Sequence, residues 1–401
     1  MNGTVVIVAV VVLVLALAAL VVSALKRRDL GMAIGDLSRE TVKRDRAAVT
    51  PARAEAAAPV TGKEIERAAV LARTGKDVVA ATPKTPAPFV APDADAVGVS
   101  RRQFLNRSII GGMVLATSTG FRGAYLRSSQ GISMTAIAGE GTGMERDYDF
   151  TSALHGADLA SPASIGARAA ERAIKRINPR KVETCKAPVV FEPRVAGTLL
   201  GHLAGAINGA SIARKSSFLK DRLGQQLFDA SVQIVDDPLM RRGLRSQPFD
   251  AEGVAVSKQA FIENGVLTSW ILDCATAREL GLATNAHAHR GVSSAPSPGA
   301  YNLYLAAGRV SPKELIADIR QGFYITDLIG SGVNGVTGDY SRGASGYWIE
   351  NGEIAYPVAE VTIAGHLNDI FHSLIPANDL EFRYGVNSPT VRIEGLTIAG
   401  R

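Results

Sequence analysis

An uncharged apolar run near the start of the chain stands apart from everything that follows it. Residues 5–25 contain no charged side chain, and about twenty helical residues span a hydrocarbon core of roughly 30 Å. Lys26-Arg27-Arg28 follows at once, and no Lys or Arg precedes the run. By the positive-inside rule the later chain then lies in the cytoplasm. The pattern predicts a transmembrane anchor within residues 1–28 rather than a cleaved signal peptide, which needs a basic start and a shorter apolar run.

The segment that follows the apolar run shows no evident core over residues 29–99. Residues 29–99 are mixed in charge and rich in Ala and Pro, which predicts a disordered linker. Residues 100–116 begin with a Ser-Arg-Arg-Gln-Phe-Leu sequence that has the form of a twin-arginine export signal. The apolar run that follows it, over residues 109–116, is short for such a signal and far too short to span a membrane.

Short runs of aromatic and β-branched residues, separated by turn residues, predict a sheet-rich C-terminal part. Asn-Gly pairs at 264–265 and 351–352 each stand between two such runs, and Asn-Gly favours the type I′ turn of an antiparallel hairpin. We also expect a hairpin over 121–138 with its turn at 128–131, and a short buried strand over 186–191. From about residue 250 onward the sheet is expected to be largely antiparallel.

Helical spacing is confined to a few segments. Apolar positions four residues apart predict a helix over 161–177, and a long apolar stretch predicts another over 196–213. A Ser-Pro start signal predicts a third over 313–321. The predicted fold class is therefore α+β, with a sheet-rich, largely antiparallel C-terminal domain over 188–401 and a partial α/β middle domain over 117–187.

Composition narrows the functional classes. The chain has 401 residues, enough for two domains with a substantial core. Two cysteines exclude a disulfide scaffold and suit a reducing compartment. The net charge of +6 is modest, and we interpret the basic pairs at 175–176, 180–181 and 241–242 as solvated surface. Binding to nucleic acid is not predicted.

Histidines are the first candidates for chemistry. His287 and His289 form the best potential metal-binding pair, but no carboxylate or Cys stands close to them in sequence, and a polar loop is the favoured interpretation. His202 lies inside an apolar segment and is interpreted as a core or interface residue. His366 and His372 are interpreted as surface residues.

Glycine-rich and acidic motifs do not predict a nucleotide or hydrolase site. Residues 330–335 match GxGxxG, but no helix is predicted after them, as a dinucleotide-binding loop requires. The glycines within 138–143 lack the Lys-Ser/Thr of a P-loop, and no GxSxG elbow occurs. We interpret Asp236-Asp237-Pro238 as turn chemistry.

The most distinctive stretch of the chain is residues 335–365, GVTGDYSRGASGYWIENGEIAYPVAEVTIAG. Together with Asn-Asp-Leu-Glu at 378–381 and the later SPTVRIEGLTIAG, it resembles the TldE/PmbA family. The resemblance extends back through residues 191–197 and 136–150 and covers about 115–401. Members of this family are partners of TldD in a two-subunit zinc metallopeptidase that cleaves unfolded or extended peptides. The resemblance therefore implies a TldD-like partner, a peptide substrate and a cytoplasmic body.

The same resemblance bears on the metal site. A TldD-type subunit binds zinc through HExxxH and a Cys near its C-terminus. Here Phe191 and Ala196 stand where the two His would be, Glu192 remains, and residues 384–387 occupy the region of the Cys. The resemblance implies that this chain has no catalytic, cofactor-binding or metal-binding residue of its own. Zinc is then expected in the partner, which this chain supports.

The leader has a different resemblance. Residues 1–113 resemble the leader of an actinobacterial-type Rieske iron–sulfur subunit, a family that holds its cluster through Cys-x-His and Cys-x-x-His motifs. Cys185 and Cys274 lie in no such motif, so a redox function does not carry over. The chain therefore resembles a fusion with its joint near residues 112–116, and it lacks the amino-terminal domain usual in TldE-like proteins.

Two interpretations of the whole chain stay open. In the first, the lipid bilayer holds residues 5–25 and tethers a cytoplasmic TldE-like body to the inner membrane. In the second, the chain is a membrane-anchored fusion whose body is incomplete and inactive. The twin-arginine motif points instead to export, and this alternative location also stays open.

Overall fold

The computed structural model describes residues 109–118, 120–291 and 293–401. The predicted anchor over 5–25, the linker over 29–99 and the two arginines of the twin-arginine motif lie outside these ranges. Within the ranges, no helix combines the length and the apolar character that crossing a bilayer requires.

The first part of the described chain is a three-stranded antiparallel sheet with a helix packed on it. Its central strand pairs with the first strand up to Ser129 and with the third strand from Gln130 onward. The helix begins with Ser161 as its N-cap and contacts the second and third strands. These elements are β1 (Ile109–Ala116), β2 (Arg122–Ala138), β3 (Glu145–Ala153) and α1 (Pro162–Lys175).

The predicted hairpin over 121–138 is wrong, because β2 runs through the expected turn without a break. Ser128 does not form a turn there, since its hydroxyl donates to the Leu154 carbonyl oxygen just beyond β3. The apolar run interpreted as the core of a twin-arginine segment forms strand β1, which pairs with β2 along its whole length. Long-range pairing therefore decides the structure of this segment.

The rest of the described chain forms three further sheets, of which the smallest has two strands, and several short helices. Its strands are β4 (Cys185–Phe191), β5 (Ile234–Asp236), β6 (Gln259–Glu263), β7 (Val266–Leu267), β8 (Ala288–His289), β9 (Ser297–Pro298), β10 (Leu303–Leu305), β11 (Gln321–Val333), β12 (Asp339–Glu350), β13 (Glu353–His366), β14 (Ile375–Pro376), β15 (Val386–Asn387) and β16 (Val391–Ala399). Its helices are α2 (Pro193–Ala206), α3 (Gly209–Ala213), α4 (Cys274–Glu279), α5 (Pro312–Ile316) and α6 (Leu367–His372).

The largest sheet closes on itself. Its strands follow the order β13-β12-β11-β4-β16-β14, and β13 also pairs with β16. All of these pairings are antiparallel except that of β4 with β11. Because β13, β12, β11, β4 and β16 pair into a closed ring, these five strands present no open sheet edge. The mixed, sheet-rich α+β prediction is confirmed for the described residues.

Helix α2 lies between the closed sheet and the second sheet, β15-β10-β5-β6-β7. It contacts β4 and β11 on one side and β10 and β15 on the other. Leu199 and Leu203 of α2 are 1% exposed, and they belong to one core cluster with Phe323 of β11 and Leu303 of β10. The helix is apolar on several faces because two sheets cover it.

Both Asn-Gly turns occur as predicted. Asn351 and Gly352 join β12 to β13 with φ values of 49° and 80°, and the pair at 264–265 joins β6 to β7. Positive φ at both central positions is the type I′ requirement that Asn-Gly meets at low cost. These turns formed as expected because their specification is local.

The helix predicted over 196–213 is wrong, because the structure has two helices there. Asn208 separates them and caps the second, accepting a 3.0 Å hydrogen bond from the Ala210 amide. Its side chain also donates to the Pro298 carbonyl at 2.8 Å. The helix expected over 313–321 is likewise shorter, because β11 begins at Gln321.

Candidate functional site

The candidate site is the β4–α2 junction, defined as residues 191–196, where the zinc motif of the resembled peptidase would stand. Phe191 ends β4, Glu192 is the N-cap position of α2, and Pro193 is its first residue. Proline suits this position because its missing N–H would have no helical partner. Backbone bonds fix the junction: the Glu192 amide donates to the Ile325 carbonyl at 3.0 Å, and the Ala196 amide donates to the Glu192 carbonyl at 2.8 Å.

The two positions that would hold histidines in the zinc motif are apolar and enclosed. Phe191 is 0% exposed and Ala196 is 1% exposed, and both belong to the main hydrophobic cluster. Phe191 lies in a strand and Ala196 in a helix, so the motif spans a strand–helix boundary rather than one helix. Neither side chain has a lone pair to offer a metal ion.

Glu192 retains its carboxylate and places it against arginine. Its Oε1 accepts a 2.8 Å hydrogen bond from Nη2 of Arg172, and its Oε2 lies 4.0 Å from Nη2 of Arg194. Burial raises the pKa of Glu192 above its ordinary value, although both arginines act in the opposite direction. The side chain is thus an acceptor within an ion-pair network that links α1 to the junction.

Arg194 connects three elements around the junction. Its Nη1 donates to the Asp147 carboxylate at 2.8 Å and to the Tyr148 carbonyl at 2.9 Å, both in β3. Its Nη2 donates to the Thr326 carbonyl in β11 at 2.9 Å. The guanidinium also lies 4.5 Å from the centre of the Tyr148 ring, within cation–π distance. The side chain of Arg194 is only 5% exposed, so the cation is desolvated, and both Nη atoms are hydrogen-bonded whereas Nε has no partner among the described residues.

Helix α1 presents a row of arginines to the same network. Arg168, Arg172 and Arg176 are spaced four residues apart, so they share one helix face. Arg168 pairs with Asp149 at 2.6 Å, while Arg176 donates to the Ser345 hydroxyl at 2.8 Å. The interpretation of residues 175–176 as solvated surface is wrong for Arg176, whose side chain is 12% exposed. The four-residue spacing was the signal that could have identified this face.

The C-terminal segment expected to replace the third zinc ligand does lie beside α2. Gly197 of α2 approaches Val386 so closely that a β-carbon there would lie 3.4 Å from the Val386 carbonyl oxygen. Asn387 holds the segment in place by accepting from the Tyr384 amide at 2.8 Å and donating to the Tyr384 carbonyl at 2.8 Å. The Tyr384 ring packs against Phe150 of β3 with 5.1 Å between ring centres. The segment over residues 384–387 therefore lies between α2 and β3.

The fold places the His287–His289 segment beside Asp236, a contact that the sequence did not predict. The Oδ2 atom of Asp236 lies 3.2 Å from Nε2 of His287, and both residues are fully buried. His287 also contacts the Asn285 carbonyl through Nδ1 at 2.7 Å, and its ring lies between Phe261 and other aromatic side chains. Throughout the described ranges, no three His, Cys, Asp or Glu side chains form a group that could hold a metal ion.

Other histidines considered in the sequence pack against or cap neighbouring elements. His202 of α2 packs edge-on against Tyr340 at 5.8 Å, and burial lowers its pKa. His366 is the N-cap of α6 and accepts from the Asn368 amide at 3.2 Å. The glycine-rich segment at 330–335 runs from β11 into a turn without a following helix, so the dinucleotide-loop interpretation is excluded.

The sequence models of two protein-family domains match the chain. Residues 184–400 match the family described as PmbA/TldA metallopeptidase C-terminal domain. Residues 62–177 match the PmbA/TldA metallopeptidase central domain. The second match begins inside the predicted linker and continues through residues 112–116, the predicted fusion joint.

Curated relatives resemble the same part of the chain. Metalloprotease PmbA of Escherichia coli O157:H7 is 41% identical over 289 residues, which are 72% of this chain and 62% of that protein. A PmbA homolog of Haemophilus influenzae is 38% identical over 290 residues, again 72% of this chain and 62% of the relative. The chain thus spans about 62% of the length of these two relatives.

Solved structures show the same fold. A Thermotoga maritima crystal structure, described as a candidate modulator of a DNA gyrase, superposes with a TM-score of 0.67 at 30% identity, covering 73% of this chain and 67% of that one. TldE from Thermococcus kodakarensis superposes with a TM-score of 0.66 at 18% identity, covering 88% of this chain and 81% of the other. The latter likeness is one of fold alone.

Proposed function

The chain belongs to the PmbA/TldD metallopeptidase family as a TldE/PmbA-type member, and from this we propose that it is a non-catalytic subunit supporting a TldD-like zinc-binding partner. The pair cleaves unfolded or extended peptides, with the zinc ion and the activated water in the partner. Zinc supplies Lewis-acid activation of water there. This chain contributes walls of the chamber around the partner's metal and shapes peptide access to it.

The observation that supports this proposal most is the chemistry of the β4–α2 junction. Zinc in proteins is held by sulfur, imidazole nitrogen or carboxylate oxygen. Phe191 and Ala196 offer none of these, and both are enclosed by the hydrophobic core. Of the motif only Glu192 remains, and one carboxylate does not make a zinc site.

A second observation concerns the state of Glu192. In a zinc peptidase, the Glu beside the first His takes a proton from metal-bound water, so it needs access to that water. Here the carboxylate is held by Arg172 and flanked by Arg194. The hydrogen bond that Glu192 accepts from Arg172 joins α1 to the start of α2, which is a structural role. We propose that the retained Glu stabilises the junction and takes no part in proton transfer.

The test uses the full chain and a TldD-like subunit, separately and mixed. We expect the lone chain to contain no stoichiometric zinc by elemental mass spectrometry and to leave an unfolded peptide uncleaved. The mixture should elute as a complex and cleave the peptide. Stoichiometric zinc together with peptidase activity in the lone chain would overturn the proposal.

Matched variants assign the chemistry to one subunit. Glu192→Gln in this chain should leave cleavage by the complex unchanged, provided that the complex still forms. The same exchange of the HExxxH glutamate in the TldD-like subunit should abolish cleavage while leaving assembly intact. Loss of cleavage in an assembled complex that contains Glu192→Gln would show that this chain takes part in the reaction.

We also propose that residues 5–25 tether the body to the inner membrane, on the support of their apolar sequence alone. In fractionated cells, the full chain should stay in the membrane pellet after an alkaline carbonate wash. A chain starting at residue 29 should instead be found in the supernatant. Recovery of the full chain in the soluble fraction would overturn this part. The alternative is a membrane-anchored fusion with an inactive body, and failure to pair with any TldD-like subunit would support it.

A further inference from the structure

A cavity of about 330 Å³ lies between the first sheet and the C-terminal domain. One wall comes from β1 and β2, and the opposite wall comes from the segment between β5 and β6 and from residues around β8. None of its lining residues belongs to the β4–α2 junction. The lining consists of Gly112, Met113, Tyr125, Arg127, Arg245, Gln247, Ala251, Ala288, His289, Arg290 and Ala300.

The lining of the cavity is cationic. Three arginines, Arg127, Arg245 and Arg290, converge from three separate parts of the chain, and no Asp or Glu lines the cavity. Arg127 donates to the Leu244 carbonyl at 3.5 Å. Within the described ranges none of the three guanidinium groups forms an ion pair with a carboxylate, whereas those of Arg168 and Arg194 do. All three arginines are exposed to solvent, so an anion can reach them, and an anion between them would be attracted by all three charges.

Neutral polar groups beside the arginines are held in fixed orientations. The Tyr125 hydroxyl donates to Oε1 of Gln247 at 2.9 Å, and Nε2 of Gln247 donates to the Phe249 carbonyl at 3.0 Å. The His289 ring packs on Tyr301 with 4.5 Å between ring centres, and burial together with the nearby His287 lowers the pKa of His289. The wall therefore places fixed polar groups beside the charged ones.

We propose that this cavity binds a small organic anion through its carboxylate or phosphate group. Guanidinium groups present paired N–H donors that match the oxygens of both groups. The other part of the lining is apolar, with Met113, Ala251, Ala288 and Ala300, and it suits the body of a ligand rather than a bare ion. The volume lies at the lower end of about 300–1,000 Å³ for small-molecule sites. This site is additional to the proposed support of a zinc subunit and does not depend on it.

Binding is tested by isothermal titration calorimetry at low salt with the purified full chain. The probes are trialanine with a free carboxylate, trialanine amide, phenyl phosphate and inorganic phosphate. We expect trialanine or phenyl phosphate to bind with a Kd below about 1 mM, and the amide not to bind. Whichever anion binds identifies the head group. Binding of inorganic phosphate alone, or of no probe, would overturn the proposal.

Substitution of the cavity arginines tests whether the anion binds in this cavity. Arg245→Gln and Arg290→Gln each remove one charge-assisted contact, and each should weaken binding at least about tenfold. Arg241→Gln is the matched control, since Arg241 is an exposed arginine of the same segment that does not line the cavity. Circular dichroism melting shows whether each variant is folded. Equal binding by the folded wild type and both cavity variants would overturn the proposal.

Discussion

The Arg194 guanidinium donates a 2.8 Å hydrogen bond to the Asp147 carboxylate, and this contact joins helix α2 to strand β3. The two side chains are 5% and 3% exposed. Water therefore screens the pair poorly, and each charge depends on the other for compensation. The β4–α2 junction is thus held to the first sheet by a buried ion pair.

Breaking this pair should destabilise the fold strongly. Arg194→Met leaves the Asp147 carboxylate buried without its closest partner, and loss of one member of a buried pair costs about 3–5 kcal/mol. Urea unfolding followed by circular dichroism measures the change. Glu171→Gln is the control, because its pair with Lys175 is exposed on both sides, and it should leave the unfolding midpoint unchanged. Equal midpoints for the two variants would contradict the prediction.

The same pair makes stability depend on pH in the acid range. Burial acts to raise the pKa of Asp147, but the hydrogen bond and charge of Arg194 outweigh it, and the pKa lies below its ordinary value of 3.8. A depressed carboxyl pKa stabilises the folded state above the unfolded-state pKa, and this contribution is lost as the pH falls through the folded value. Between about pH 6 and pH 3, Asp147→Asn should therefore lose less stability than the wild type. Parallel pH profiles for the two proteins would show that Asp147 does not contribute.

The hairpin turn at Gly352 should not tolerate a side chain. Its φ is 80°, and an added β-carbon would lie 2.5 Å from the Ala317 carbonyl oxygen. We expect Gly352→Ala to destabilise the protein by about 1–3 kcal/mol. Gly335→Ala is the matched control, since a β-carbon there meets nothing within 4 Å. Thermal melting should separate the two variants, and a Gly352→Ala midpoint as high as that of the control would contradict this account.

Restoring one histidine should not restore a zinc site. Phe191→His places a polar ring at a fully buried apolar position, and residue 196 still supplies no second ligand. We expect a lower melting temperature and no stoichiometric zinc by elemental analysis. Phe382→His, at a position that is 53% exposed, is the control and should melt close to the wild type. Zinc bound at one equivalent by Phe191→His would show that other groups complete a site there.

Local signals predicted the features that depend on neighbouring residues. The Asn-Gly turns formed as expected because a positive φ at both positions is a property of those two residues. Ser161 and Ser311 begin their helices for the same reason, since each cap accepts from an amide three residues later. Strand β2 and the break at Asn208 were missed because both depend on distant partners, β3 in one case and Pro298 in the other.

The sequence by itself determined the family and the turns of the main hairpins, and it predicted that Phe191 and Ala196 replace the zinc-motif histidines. These are properties of residue type and short spacing. Only the tertiary structure decided that Arg194, Asp147 and Glu192 form one buried network, and that three arginines face one cavity. Charges attract and repel through space, so residues distant in sequence acquire a shared role only when sheet pairing and helix packing bring them together.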